Sequence, residues 1–283
     1  MNSAILLKDG HPEGPIVFCV PGAGDTVTAF LPLVELLEHD ITVYGLQGNF
    51  TLTSAARTGS SIVEPVAAAF VDIVRRIPRT SPCCLIGHSF GGWIAFEMAL
   101  KLTDLCQPIA AVVILDSDPP GQPDATNYDR VDTLLAIGEV LEMASGKPLA
   151  LTRTALEAKA EHEQFEWLAR EMKRIGLLPR TARLSLIEDL VRLFEIGLNA
   201  QYSPARSLSA EAWLVQPREV WRSRNGECII NSEYTSEEAL LLWSAYASNL
   251  KCISVSGNHI SMLHHPNITS TARLLQGFWR EKC

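Results

Sequence analysis

A chain of 283 residues with 47% apolar side chains can bury a sizeable core, and a net charge of -8 without a dense Lys/Arg run argues against nucleic acid or an anionic membrane as partner. No apolar run reaches the roughly 18 residues that span a bilayer. The start MNSAILLKDGHPEG lacks the basic region and long apolar stretch of a signal peptide, so a cytoplasmic location is expected. Seven cysteines, scattered except for Cys83 and Cys84, show neither C-x-x-C nor Cys–His ligand spacing. That pattern speaks against a disulfide framework and a zinc site, and predicts reduced, mostly packed thiols.

Taken in chain order, Ile16–Val20 (IVFCV), Ile41–Leu46 (ITVYGL), Cys83–Ile86 (CCLI) and Ile109–Leu115 (IAAVVIL) read as strands buried on both faces. Helical patterns lie between them over Phe30–Glu38, Ile62–Ile77 and Gly92–Lys101; in the second, Val63, Val66, Phe70, Ile73 and Ile77 recur at helical spacing. Strands alternating with helices predict an α/β fold with a mostly parallel sheet. After Leu115 comes a proline-rich loop, DSDPPGQPD, and then three helical patterns without a strand, over about 128–144, 152–175 and 180–200. Gly146–Pro148 and Pro179 act as breakers between them. Alternation resumes with a strand at Ala212–Gln216, a helix over Ser236–Ser248, a strand at Lys251–Val255 and a last helix from about Ile268 to Trp279. The whole reads as one α/β domain over 1–283 that carries a helical insertion, with no internal repeat.

The stretch LIGHSFGGW carries the chemistry. Gly87-His88-Ser89-Phe90-Gly91 fits G-x-S-x-G, and it follows a predicted strand and opens a predicted helix, as a nucleophile elbow must. The bland alternative is a Gly-rich turn with an incidental serine. A serine hydroxyl needs a base, and in such hydrolases the chain order is Ser, acid, His. His259, in the SGNH loop after the final strand, is the predicted base. His264 and His265 read as exposed loop histidines, and His88 as packing beside the pocket; His11, His39 and His162 lie in ordinary surface contexts. Three carboxylates compete for the acid. Asp116, directly ending IAAVVIL, ranks ahead of Asp118 in the loop beyond and Glu219 after AWLVQ, although Asp at a turn is also a common cap. The backbone N–H groups of Phe90 and of Ala23, in the glycine-rich PGAG turn after the first strand, are the expected oxyanion donors. Neither dinucleotide nor P-loop glycine patterns are present.

Together, VPGAGDTVTAFLPL, VYGLQG, LIGHSFGGWIAFEMALKL, ILDSDPP and SGNHISMLHHP resemble the α/β-hydrolase thioesterase domains of non-ribosomal peptide and polyketide synthetases over nearly the full chain. The resemblance implies Ser89, Asp116 and His259 as catalytic residues, Ala23 and Phe90 as oxyanion donors, and a helical lid at about 119–207. It also implies an acyl or peptidyl chain delivered on the phosphopantetheine arm of a carrier protein, then released by hydrolysis or macrocyclisation. No metal or redox cofactor is expected, and the domain is expected to work as a monomer. Stand-alone editing relatives more often read GHSMGA at the elbow; GHSFGG, with VYGLQG and LDSDPP, points toward the terminal, product-releasing branch. A free small-molecule esterase stays open, since thioester and oxoester pass through the same oxyanion. A decayed, non-catalytic module is disfavoured, because none of the three catalytic residues is missing. Arg218, Arg222 and Arg224 are candidate docking residues for an acidic carrier, against the ordinary reading of a solvated surface. The apolar lid positions, among them Leu134, Leu135, Ile137, Leu141, Leu184, Ile187, Leu190, Leu193 and Phe194, are expected mostly as core, with some lining an acyl channel.

Overall fold

Apolar runs without polar alternation must be covered on both faces, and that requirement organises this chain. Strands β2 (Ile16–Val20) and β4 (Cys83–His88) are buried at every residue, and β5 (Ile109–Leu115) at its last five. The computed structural model describes residues 2–48, 61–121, 127–221, 229–230 and 234–282. Among these, β1 (Ser3–Lys8), β3 (Thr42–Gln47), β6 (Ala212–Pro217) and β7 (Leu250–Val255) complete a seven-stranded sheet in the order β1-β3-β2-β4-β5-β6-β7. Only β1 runs antiparallel to its neighbour. It is also the strand that sequence pattern does not reveal. As an edge strand with Ile5 and Leu6 exposed, SAILLK shows neither a buried run nor alternation, and backbone pairing to β3 holds it in place.

Two helical layers cover the sheet. On one face α2 (Val63–Val74), α3 (Phe90–Asp104) and α8 (Ser236–Ser244) enclose Phe18, Phe70, Phe96 and Trp243. On the other, α1 (Leu31–Leu36) and α9 (Ile268–Lys282) pack with Val17, Phe30 and Leu275. Between β5 and β6 lie α4 (Arg130–Ser145), α5 (Arg153–Glu157), α6 (Glu161–Ile175) and α7 (Leu184–Leu198), which share a core of their own around Leu134, Leu168 and Val191. The pattern read as one helix over 152–175 is thus two, α5 and α6. Glu163 turns its carboxylate back to accept the Ala160 N–H at 2.9 Å, which starts α6 where no Gly or Pro marks a break. Similarly, the helix predicted over Phe30–Glu38 is the shorter α1, entered through a 3-10 turn at Val27–Phe30, and the helix predicted to reach Ser248 stops at Ser244.

Cys19, Cys83 and Cys84 are buried and unbridged, and burial holds their thiols above the ordinary range. Among the described residues no helix is long and apolar enough to cross a membrane.

The sheet order places the chemistry. The chain leaves β2 for β3 on one side, whereas from β4 it proceeds to β5 on the other. At such a reversal the connections diverge and a crevice opens beyond the carboxyl ends of the strands. Val20 pairs with Gly87, His88 with Leu115 and Leu115 with Val215, so the ends of β2, β4, β5 and β6 lie side by side.

Candidate active site

Ser89 leaves β4 and forms the N-cap of α3 with φ 53° and ψ −127°, a conformation that costs a non-glycine residue about 1–3 kcal/mol. The bend fits because its neighbours lack side chains. A Cβ on Gly87 would fall on the Gly91 carbonyl, and one on Gly91 would fall on the carbonyls of Val20 and Pro21. The strain is held by the surrounding sheet, since the Ser89 N–H donates to Leu115 O at 2.8 Å. Phe90 begins α3, so its N–H belongs to the first turn of a helix, where partial positive charge accumulates. Across the crevice, the Ala23 N–H has no acceptor among the described residues.

Asp116, at the end of β5, is likewise in a left-handed conformation, with φ 45°. Its Oδ2 lies 2.7 Å from His259 Nδ1, in the loop after β7, and both side chains are largely buried. That contact leaves His259 Nε2 free of the carboxylate, as a general base requires. Ser89, Asp116, His259 and the Ala23 turn all line one cavity of about 570 Å³. The other two acid candidates are placed differently. Glu219 is exposed and touches the base loop through its backbone, its N–H donating to Gly257 O at 3.0 Å. Asp118 lines the cavity, with its carbonyl accepting Trp93 Nε1–H at 2.7 Å.

His88 packs against the base. Its ring centroid is 4.6 Å from that of His259, and its Nε2–H donates to the His259 carbonyl at 2.8 Å. This fixes the tautomer and leaves Nδ1 bare and buried, with no partner among the described residues. Burial, followed by the proximity of His259, pushes the His88 pKa from its ordinary 6.5 down to about 3. The sign of the stability effect comes from linkage. Between pH 6.5 and 3 the unfolded chain binds a proton that the folded chain refuses, so His88 costs stability as pH falls, by roughly 1 kcal/mol for each unit of pH. The His88→Gln protein is expected to lose stability less steeply than the parent between pH 6.5 and 4, read from urea midpoints. Parallel curves would contradict this.

The remaining histidines divide by position. His264 is exposed yet lines the cavity; His265 faces Glu35 at 3.5 Å; His11, His39 and His162 are exposed and away from the cavity.

Over the crevice, α7 lies directly on the Ala23 turn: Leu190 and Phe194 press on the Gly24 backbone, and Gly197 faces Ala23. Ile137, Leu141, Met172 and Leu198 form the apolar roof, while Leu134 and Ile187 turn into the core of the insertion. One part of the wall carried no sequence signal. Ile229 and Ile230 line the cavity because buried Glu139, on α4, accepts both their N–H groups at 3.0 Å. A lone buried carboxylate on a helix has no pattern that names its distant partners. Of the arginines offered for docking, Arg218 is exposed, and Arg222 and Arg224 lie outside the described residues.

Comparison with known proteins places the chain in a family. The Thioesterase domain family model matches residues 15–276. A stretch of 160 residues, 55% of the chain, is 28% identical to the probable non-canonical nonribosomal peptide synthetase CymA of Salinispora arenicola (strain CNS-205), of which it spans 2%. The four-domain nonribosomal peptide synthetase holo-AB3403 superposes with a TM-score of 0.80 at 20% identity, over 98% of this chain and 20% of that one. The type II thioesterase BorB, from the borrelidin biosynthetic cluster, superposes with a TM-score of 0.64 at 17% identity, over 97% and 96% of the two chains. The chain therefore belongs to the Thioesterase domain family.

Proposed function

We propose that this domain takes an acyl or peptidyl chain from the phosphopantetheine thioester of a carrier protein onto Ser89, then releases it. One observation carries the assignment of roles: the 2.7 Å contact of Asp116 Oδ2 with His259 Nδ1, beside the Ser89 elbow in the same cavity. His259 Nε2 removes the Ser89 proton as Oγ attacks the thioester carbonyl. Asp116 holds the imidazole in the tautomer with Nδ1–H and steadies the imidazolium that forms. The N–H groups of Ala23 and Phe90 receive the oxyanion. Collapse expels the pantetheine thiol, protonated by His259. Water, or a hydroxyl or amine of the chain itself, then attacks the acyl-enzyme with His259 again as base; collapse breaks the ester bond to Ser89, and His259 returns the proton to Oγ as the product leaves. None of these steps calls for a metal or redox cofactor.

The elbow sequence GHSFGG supports a terminal, product-releasing role over stand-alone editing. The apolar roof supports an acyl group that enters the cavity and leaves bulk water outside. The test against a free small-molecule esterase is a comparison of kcat/KM for one acyl group on three leaving groups: a phosphopantetheinyl carrier protein, N-acetylcysteamine and p-nitrophenol. The carrier-bound thioester is expected to be turned over most efficiently. Equal turnover of carrier-bound and free esters would favour the esterase reading.

A further inference from the structure

Gly92, the third glycine of the elbow, lies one residue beyond the G-x-S-x-G pattern. Its neighbour in space is the acid turn. A Cβ on Gly92 would fall on Ser117 Oγ, and would sit 2.9 Å from Ser117 Cβ and 3.1 Å from Ile114 Cγ2. Rotating the Ser117 hydroxyl away would not relieve the overlap, because the Ser117 Cβ itself is too close.

The missing side chain admits a hydrogen bond. Ser117 Oγ–H donates to the Ser89 carbonyl at 2.6 Å, and the same carbonyl accepts the Gly92 N–H at 2.9 Å. Both lone-pair directions of that oxygen are therefore used. On the other side of the nucleophile, the Ser89 N–H donates to Leu115 O at 2.8 Å. The peptide groups before and after Ser89 are thus both held by residues 115 and 117, which flank Asp116. The turn is anchored in its own right. Asp116 N–H donates to Val215 O at 2.9 Å, and buried Trp243 donates its Nε1–H to the Ser117 carbonyl at 3.1 Å.

We propose that Ser117 is a positioning residue whose hydroxyl clasps the acid turn to the nucleophile elbow, and that position 92 is glycine so that the clasp can close. This rests on the reading of Ser89 and Asp116 as nucleophile and acid. Both residues have positive φ, so each turn relaxes if it is released, and relaxation moves Oγ relative to His259. Positions 92 and 117 then form a steric pair. A side chain at 92 excludes the hydroxyl at 117, and the packing of Gly92 accounts for the GG of the elbow.

The test is a cycle of the parent, S117A, S117G, G92A and G92A/S117G, assayed with an acyl-N-acetylcysteamine thioester and by melting temperature. S117A is expected to fold and to lower kcat about ten-fold with KM little changed, as loss of one orienting hydrogen bond predicts. The G92A substitution is expected to cost on the order of 100-fold in kcat in the parent, and about ten-fold or less in the S117G background. Parental kcat in S117A, or equal losses from G92A in the two backgrounds, overturns the clasp. If G92A alone does not fold, recovery of folded protein in G92A/S117G supports the pairing and failure of recovery contradicts it, while the S117A kinetics stand independently. Failure of the underlying reading looks different: S89A would then hydrolyse the thioester at the parental rate, whatever the cycle shows.

Discussion

Ser89→Ala is expected to lower thioester turnover by about 10³–10⁶-fold while leaving the fold intact. The size reflects the role proposed for the hydroxyl. Without Oγ no acyl-enzyme forms, and only the oxyanion donors and binding remain to assist a direct attack by water. The small structural cost comes from the elbow. Alanine at φ 53° bears the same backbone strain as serine, and the Ser89 N–H and carbonyl keep their partners. The melting temperature should therefore stay close to that of the parent. Loss of activity accompanied by loss of fold would not count as agreement, so both are measured on the same preparation.

Asp116→Asn is expected to lower kcat by about 10⁴-fold, whereas Glu219→Ala should leave it within a factor of about two. The amide preserves shape but can present an N–H to His259 Nδ1 where the carboxylate presents only acceptors. The imidazole then favours the other tautomer, its Nε2 carries the proton, and it can no longer accept one from Ser89. The imidazolium that forms during attack also loses its buried counter-charge. Glu219 lies outside all of this, because its side chain is exposed and only its backbone meets the base loop. Steady-state kinetics of the two variants separate the candidates: a severe effect at Glu219 with a mild one at Asp116 would reverse the assignment.

Much of the site is legible in the sequence because each element signals its own end. IVFCV, CCLI and IAAVVIL are apolar throughout, so the turn after each must emerge at one edge of a parallel sheet. That logic brings Ala23, Ser89 and Asp116 to one crevice, the order Ser, acid, His adds His259 after the last strand, and the structure finds all four lining one cavity. The choice between Asp116 and Glu219 is harder, since both come after strands; strand-end position ranks them, and the contact with His259 shows which one reaches it. Contacts between distant residues that each look ordinary stay hidden. Ser117 is one serine in a proline-rich loop, Gly92 one glycine among several, and only their superposition in space links them. His88 likewise gives no hint that it holds the His259 carbonyl. β1 and the α5–α6 break escape for a different reason. Their formation rests on backbone pairing and a side-chain cap, which leave no apolar period to read.

Ser89 as the acylated nucleophile is tested most directly by the mass of the enzyme caught during turnover. The protein is mixed with an acyl-phosphopantetheine thioester, quenched in acid, weighed intact and mapped by peptide fragmentation. One acyl group per chain is expected, on the peptide that contains Ser89, absent from S89A and persisting longer in the His259→Ala protein once loaded. Acylation of a different residue, or undiminished turnover in S89A, would contradict the proposed chemistry.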